Sequence, residues 1–218
     1  MRMHCYHNGV DDSQDSLLAH GLPTVFSRDL GTIFLDRDGV LNEKPPEGNY
    51  ITCWADFHLL PGVPAALRRL NQAGLRVVVV TNQRGIALGL YSPSDVEAIH
   101  SSLQQVLKMH GAHVDAFYFC PHDERQCSCR KPLPGLFEQA VAQFPEITAA
   151  TSVMIGDSLS DIEFGRRLGM LTVFIQGDPE FQKPTAEAGS QLAEVRSSCL
   201  AEAVDVLLAH LQPANQPG

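Results

Sequence analysis

The 218-residue sequence is short of basic charge: 16 Lys and Arg stand against 25 Asp and Glu, a formal net charge of −9. A chain of that balance shows no basic face, which argues against a nucleic-acid phosphate backbone as its partner. Its apolar runs are far shorter than a membrane span. The opening MRMHCYHNGVDDSQDSLLAHG lacks a basic stretch followed by an apolar one, so no secretory leader is expected and a cytoplasmic location is. In that compartment the six cysteines are not expected to pair as disulfides. No internal repeat is visible. What is present, with 44% hydrophobic residues, suffices for one core with small additions.

The stretch Gly31–Asn42, GTIFLDRDGVLN, organises the rest. Thr32–Leu35 is a short apolar, partly β-branched run that reads as a buried strand. It stops at Asp36-Arg37-Asp38-Gly39, where carboxylates cannot continue into a dry core. Taken alone, Asp-x-Asp-Gly also opens calcium loops, but Glu43 and Glu47 do not follow at that spacing. Pro45-Pro46-Glu47-Gly48 is a turn cluster, and Tyr50-Ile51-Thr52 reads as a short strand in an excursion 43–60 above the first strand's end. A helix opens at Pro61-Gly62-Val63-Pro64 and closes at Gly74. Leu75–Val80 is a second buried strand, ending at Thr81-Asn82-Gln83-Arg84-Gly85. Ser92-Pro93-Ser94-Asp95 starts a second helix. Val114–Cys120 is a third strand, Gly135–Phe144 a helix, and Ser152–Ile155 a fourth strand ending in Gly156-Asp157. Leu159–Leu168 is helical, Leu171–Ile175 a fifth strand, residues 177–198 polar and irregular, and Leu200–Leu211 an amphipathic helix. The alternation predicts an α/β three-layer sandwich, with helices on both faces of a central parallel sheet. Residues 1–30 read as an extension, 31–212 as one domain and 213–218 as a tail.

The strand ends carry the chemistry. Strand one ends in Asp36 and Asp38, strand two in Thr81, strand four in Asp157, and Arg130-Lys131 lies between strands three and four. Open α/β sheets bind ligands at their carboxyl ends. Carboxylates drawn together there repel unless a cation joins them, and Mg²⁺ suits carboxylate oxygens beside a phosphate. One carboxylate then attacks phosphorus while another trades a proton with the leaving group. Taken singly, Thr81 reads equally as a turn cap, Lys131 as a solvated charge and Asp157 as a helix cap; together at successive strand ends they point to one crevice. Cys120-Pro121-His122 and Cys127-Ser128-Cys129 supply three thiolates and an imidazole, a full tetrahedral set for structural Zn²⁺. Cys5, Cys53 and Cys199 are isolated, and the histidines outside this loop receive no role.

Asp36-x-Asp38-Gly39-Val40, Thr81-Asn82, Lys131 and Gly156-Asp157-x-x-x-Asp161 together resemble, in order, the four motifs of the haloacid dehalogenase superfamily. The resemblance covers about Gly31 to Gln176. It implies Asp36 as nucleophile, Asp38 as general acid and base, and Lys131, Thr81 and Asn82 around the phosphoryl group. It implies Mg²⁺ on Asp36, the carbonyl of Asp38 and Asp157, with Asp161 supporting from behind. The run from Cys120 to Leu136 resembles a subgroup whose members dephosphorylate heptose bisphosphates or histidinol phosphate. Asn42, Asn82-Gln83-x-Gly85 and Pro134-Gly135 favour the heptose side. Arg84 stands where serine is common there, and Ser158 where a substrate-contacting lysine is common. Gln83, Arg84 and Arg130 are expected in the substrate-binding set. Arg130, beside Lys131, is the best candidate for a distal phosphate because a guanidinium binds phosphate in a bidentate fashion, with Arg84 a second contact in place of the lysine missing at Ser158. No gap after the first or second motif holds a large cap, so a small phosphorylated sugar and a monomeric enzyme of carbohydrate metabolism are expected. Three other readings fit less well. A phospho-receiver domain has its acceptor on a later strand, an inactive zinc module has no need of intact carboxylates, and a polynucleotide 3′-phosphatase sits poorly with the acidic charge.

Overall fold

The computed structural model describes residues 30–211 except 47, 179, 181 and 183. The expected extension, apart from Leu30, and the expected tail lie outside these residues. Six strands form one sheet: β1 (Thr32–Leu35), β2 (Arg76–Asn82), β3 (Ala116–Cys120), β4 (Ser152–Gly156), β5 (Leu171–Ile175) and β6 (Val195–Ser197). Their order is β3-β2-β1-β4-β5-β6. Every pairing is parallel. The chain winds outward from β1 to β3, then returns to place β4 on β1's other side. That reversal puts the switch point, and hence the crevice, at the carboxyl ends of β1, β2 and β4.

Strand side chains alternate between faces, and the two cores divide accordingly. Ile33, Leu35, Val77, Val79, Val153 and Ile155 pack against helices α1 (Val63–Gln72), α2 (Pro93–Met109) and the C-terminal helix α6 (Leu200–Leu211). Phe34, Val78, Val80 and Met154 face α3 (Gly135–Gln143) and α4 (Leu159–Leu168). Strands buried on both faces need continuous apolar runs, which is what the sequence supplies. The expected three-layer sandwich is therefore the observed fold.

Three details differ from the sequence reading. Tyr50–Thr52 forms no strand. The excursion is instead tied by a bridge between Asn42 and Leu59, and by Glu43 N–H donating to His58 O and Leu60 N–H to Leu41 O. Among its described residues the one helical element is a 3₁₀ turn, Trp54–Asp56. Residues 177–198 are not all irregular. They hold α5 (Ala186–Leu192) and β6 (Val195–Ser197), elements too short for periodicity to show, which complete the sheet beside β5. Finally, β2 runs on through Thr81 and Asn82, because β3 continues to pair with both.

Candidate active site

Asp36 follows the last residue of β1, and its N–H donates to Ile155 O on β4 at 2.9 Å. Its carboxylate therefore leaves the sheet where the crevice opens. Lys131 reaches it from the far side: Nζ donates to Asp36 Oδ1 at 2.9 Å and to Val80 O at 2.6 Å, and lies 2.6 Å from Asp161 Oδ1. The lysine side chain is 1% exposed and Asp161 is fully buried. Burial works against the ammonium, but Asp161 and Asp36 raise its pKa, so it stays charged. Burial and the Asp161 charge push the Asp36 carboxyl up, while Lys131 pulls it down.

Asp157 and Asp161 occupy different posts on one loop-to-helix turn. The residue that caps α4 is Ser158, not Asp157: Asp161 Oδ2 accepts from Ser158 N at 3.1 Å and from Ser158 Oγ at 2.6 Å. Asp157 is thereby left free of cap duty and turned to the crevice. Two glycines make the crowding possible. A Cβ on Gly39, whose φ is +91°, would lie 2.2 Å from Asp157 Oδ2, and one on Gly156 would lie 2.2 Å from Asp161 Cβ. One oxygen from each of Asp36, Asp157 and Asp161 falls within 4.8 Å of the others. This is an anionic, hard-oxygen donor set, which fits a divalent cation such as Mg²⁺. Burial pushes the Asp157 carboxyl up to about 7, with Lys44 lowering it and Asp36 and Asp161 raising it.

Lys44 is a site residue that the sequence reading missed. It sits on the excursion, and its Nζ is 2.5 Å from Asp157 Oδ2 with 13% of its side chain exposed. The one available signal was a lone cation inside a segment expected to cover the site.

The Asp38 carboxylate turns away from this cluster. Arg37 Nε and Nη2 donate to its Oδ1 at 3.1 and 3.0 Å, Asn42 Nδ2 to the same oxygen at 2.9 Å, and Gln83 Nε2 to Oδ2 at 3.3 Å. Burial opposes its charge, yet the Arg37 guanidinium and these donors hold the carboxyl below its usual range. Gln83 also donates to Thr81 Oγ1 at 2.9 Å and accepts from Tyr91 OH at 2.8 Å, so Thr81 and Asp38 share one brace. Asn82 clamps the main chain of Lys131, accepting from its N–H at 3.0 Å and donating to its carbonyl at 3.1 Å. Arg84 pairs with Asp123 at 2.6 Å, across to the cysteine loop. Arg130 has a buried Nη1 that no described residue accepts from.

The cysteine loop closes on itself. Cys120 Sγ lies 3.5 Å from Cys127 Sγ and 3.7 Å from His122 Nδ1, and Cys129 Sγ lies 3.3 Å from that nitrogen. The edges of a tetrahedral zinc site are about 3.5–3.8 Å, from metal–ligand distances near 2.0–2.3 Å. These three distances are close to such edges, and all four ligand atoms lie within 4.8 Å of one another.

The model of the haloacid dehalogenase-like hydrolase family matches residues 33–169. A D-glycero-alpha-D-manno-heptose-1,7-bisphosphate 7-phosphatase of Mycobacterium tuberculosis (strain ATCC 25618 / H37Rv) is 43% identical over 137 residues, 62% of this chain and 72% of the relative. A D-glycero-D-manno-heptose-1,7-bisphosphate 7-phosphatase of Thermosynechococcus vestitus is 36% identical over 196 residues, 83% and 97% of the two chains. Among solved structures, the D,D-heptose 1,7-bisphosphate phosphatase of B. bronchiseptica, complexed with magnesium and phosphate, superposes with a TM-score of 0.73 at 32% identity. It covers 82% of this chain and 98% of its own. With the fold, the order of the strand-end residues and these likenesses in agreement, the chain belongs to the haloacid dehalogenase-like hydrolase family and is a phosphatase.

Proposed function

We propose that this chain removes the 7-phosphate from a D-glycero-D-manno-heptose 1,7-bisphosphate through a phosphorylated Asp36. The observation that carries the mechanism is the grip of Lys131 on Asp36 at the end of β1, in a crevice shared with Asp157. The substrate comes from the relatives, which bear that name at 43% and 36% identity.

In the reading, one Asp36 oxygen stays on Lys131 while the other attacks phosphorus; no described residue hydrogen-bonds that second oxygen. The bond from phosphorus to the sugar oxygen breaks, and Asp38 hands that oxygen a proton. Arg37 keeps Asp38 ionised in the free protein, so the proton arrives with a substrate bound as its phosphate monoanion. Asp38 then takes a proton from water, whose oxygen attacks the phosphoryl-Asp36 and releases inorganic phosphate. Thr81, Asn82 and Lys131 surround the transferred group. Asp36, the Asp38 carbonyl and Asp157 would hold Mg²⁺, which offsets phosphoryl charge when bound. Asp161 acts from behind, as the second carboxylate on Lys131.

Cys120, His122, Cys127 and Cys129 hold a structural Zn²⁺ in this proposal. Their mutual approach supports it, and metal analysis should find close to one zinc per chain; none, with three reactive thiols in the loop, would refute it. That ion fixes the loop which presents Arg130 and Lys131. Arg130 suits the distal phosphate, because its buried Nη1 has no acceptor among the described residues and a guanidinium binds phosphate in a bidentate fashion. Arg84 is engaged by Asp123 and contributes through the loop. One chain supplies every residue of this reading, which supports a monomer, and a phosphorylated sugar substrate supports a cytoplasmic location.

The test is phosphate release across a panel of heptose bisphosphates, other sugar phosphates and histidinol phosphate. A heptose bisphosphate should show the highest kcat/KM. Faster turnover of histidinol phosphate would overturn the substrate, and no release from any phosphomonoester would overturn the reaction.

A further inference from the structure

Two lysines enter the carboxylate cluster, and they are held very differently. Lys131 has three acceptors and a side chain 1% exposed. Among the described residues Lys44 hydrogen-bonds to one partner, Asp157, at 2.5 Å, and it arrives on a flexible stem from the excursion. The Asp157 carboxylate occupies the space beside Gly39 that a Cβ would fill, so it stands at the backbone of the first strand's end. A divalent ion held by Asp36, Asp157 and Asp161 would stand close to the Lys44 ammonium on the Asp157 carboxylate. Two cations beside the Asp157 carboxylate repel, and Lys44, more weakly held than Lys131, is the one that yields.

The excursion itself is anchored elsewhere. Phe57 packs under the Arg37 guanidinium at 5.8 Å, and Tyr50 lies against Tyr91 with ring centroids 6.1 Å apart. Neither contact depends on Lys44. An ammonium displaced from Asp157 therefore remains above the crevice, where the oxygens of an incoming phosphomonoester arrive.

We propose that Lys44 is a tethered counter-ion of the cation site: the divalent ion displaces it from Asp157, and it then binds the phosphoryl group of the substrate. The proposal deepens the functional reading and rests on Asp157 as a metal ligand. It gives the covering excursion a task, which is to hold the carboxylates together before the metal arrives and to meet the substrate afterwards.

The experiment is calorimetric titration of Mg²⁺ into the full-length protein, wild type beside Lys44→Met and Asp157→Asn, with circular dichroism to establish folding. KM for p-nitrophenyl phosphate is then measured at saturating Mg²⁺. Lys44→Met should bind Mg²⁺ about tenfold more tightly, the scale of one partly buried ion pair. Its KM should rise about tenfold, the scale of one lost charge-assisted hydrogen bond. Lys44→Gln is read the same way should the methionine variant fail to fold. Unchanged or weaker Mg²⁺ binding by the variant, beside normal binding by wild type, overturns the competition alone. Tighter Mg²⁺ binding with an unchanged KM overturns the contact with substrate. No Mg²⁺ binding by wild type, or undiminished binding by Asp157→Asn, overturns the metal-site reading and this proposal with it.

Discussion

The floor of the site and its cover are built on different principles. The floor is sheet: Asp36, Thr81 and Asp157 stand at the ends of β1, β2 and β4, locked in register by Leu35 facing Val79 on one side and Ile155 on the other. The cover is loop. The excursion is pinned by Lys44 on Asp157, Phe57 on Arg37 and Tyr50 on Tyr91, and the cysteine loop by its own thiol and imidazole cluster. The floor inherits its geometry from backbone hydrogen bonds that any apolar sequence of the right period would form. The cover depends on individual side chains. Damage to the floor should therefore remove chemistry, whereas damage to the cover should change binding and selectivity.

The sharpest break lies in the floor. Asp36→Asn is nearly isosteric, so the fold should persist while kcat falls by at least about 10³-fold, the scale of losing a nucleophile. Steady-state phosphate release beside an unchanged melting temperature checks it; retention of more than a few per cent of activity would contradict it. Next comes Gly156→Ala, which touches no substrate. Its new Cβ would strike Asp161 and disturb the seat of Lys131, and a displacement of this kind costs about 10²-fold in kcat. A wild-type rate would show that Asp161 does not position the lysine.

The cover should respond in selectivity. Arg130→Ala should cost a bisphosphate about 2–3 kcal/mol in kcat/KM and a monophosphate much less. Equal losses would assign Arg130 to the reacting phosphate or to the loop's fold.

The smallest effect is that of pH on the boundary between the two regions. The Asp157 carboxyl is raised from 3.8 to about 7, chiefly by burial. A raised carboxyl takes up a proton on folding, so metal-free stability should fall as pH climbs from 3.8 to about 7. Mg²⁺ needs the carboxylate, so its affinity should rise over the same climb and level off above it. Calorimetry at several pH values, with proton release read from buffers of different ionisation enthalpy, checks both signs.

The same contrast explains what could be read from the sequence. Leu159–Leu168 and Leu171–Ile175 have the expected bounds, because a closing glycine at 169 and a partly β-branched apolar run are local signals. The strand-end carboxylates were legible because a polar residue after a buried run must surface. Lys44 was not legible, since nothing local distinguishes it from a solvated lysine; only the fold brings residue 44 onto residue 157. Nor was the role of Arg37, whose guanidinium is 1% exposed and braces its own neighbour Asp38. Strand Val195–Ser197 was missed because three residues carry no period.

The central claim is that Asp36 becomes phosphorylated, and trapping tests it most directly. The full-length protein is mixed with Mg²⁺ and substrate, quenched during turnover, and treated with borohydride, which reduces an aspartyl-phosphate to homoserine. Peptide mass spectrometry should find the conversion at position 36, dependent on substrate and absent in Asp36→Asn. Conversion at Asp38 or Asp157 instead, or none during active turnover, would contradict the account.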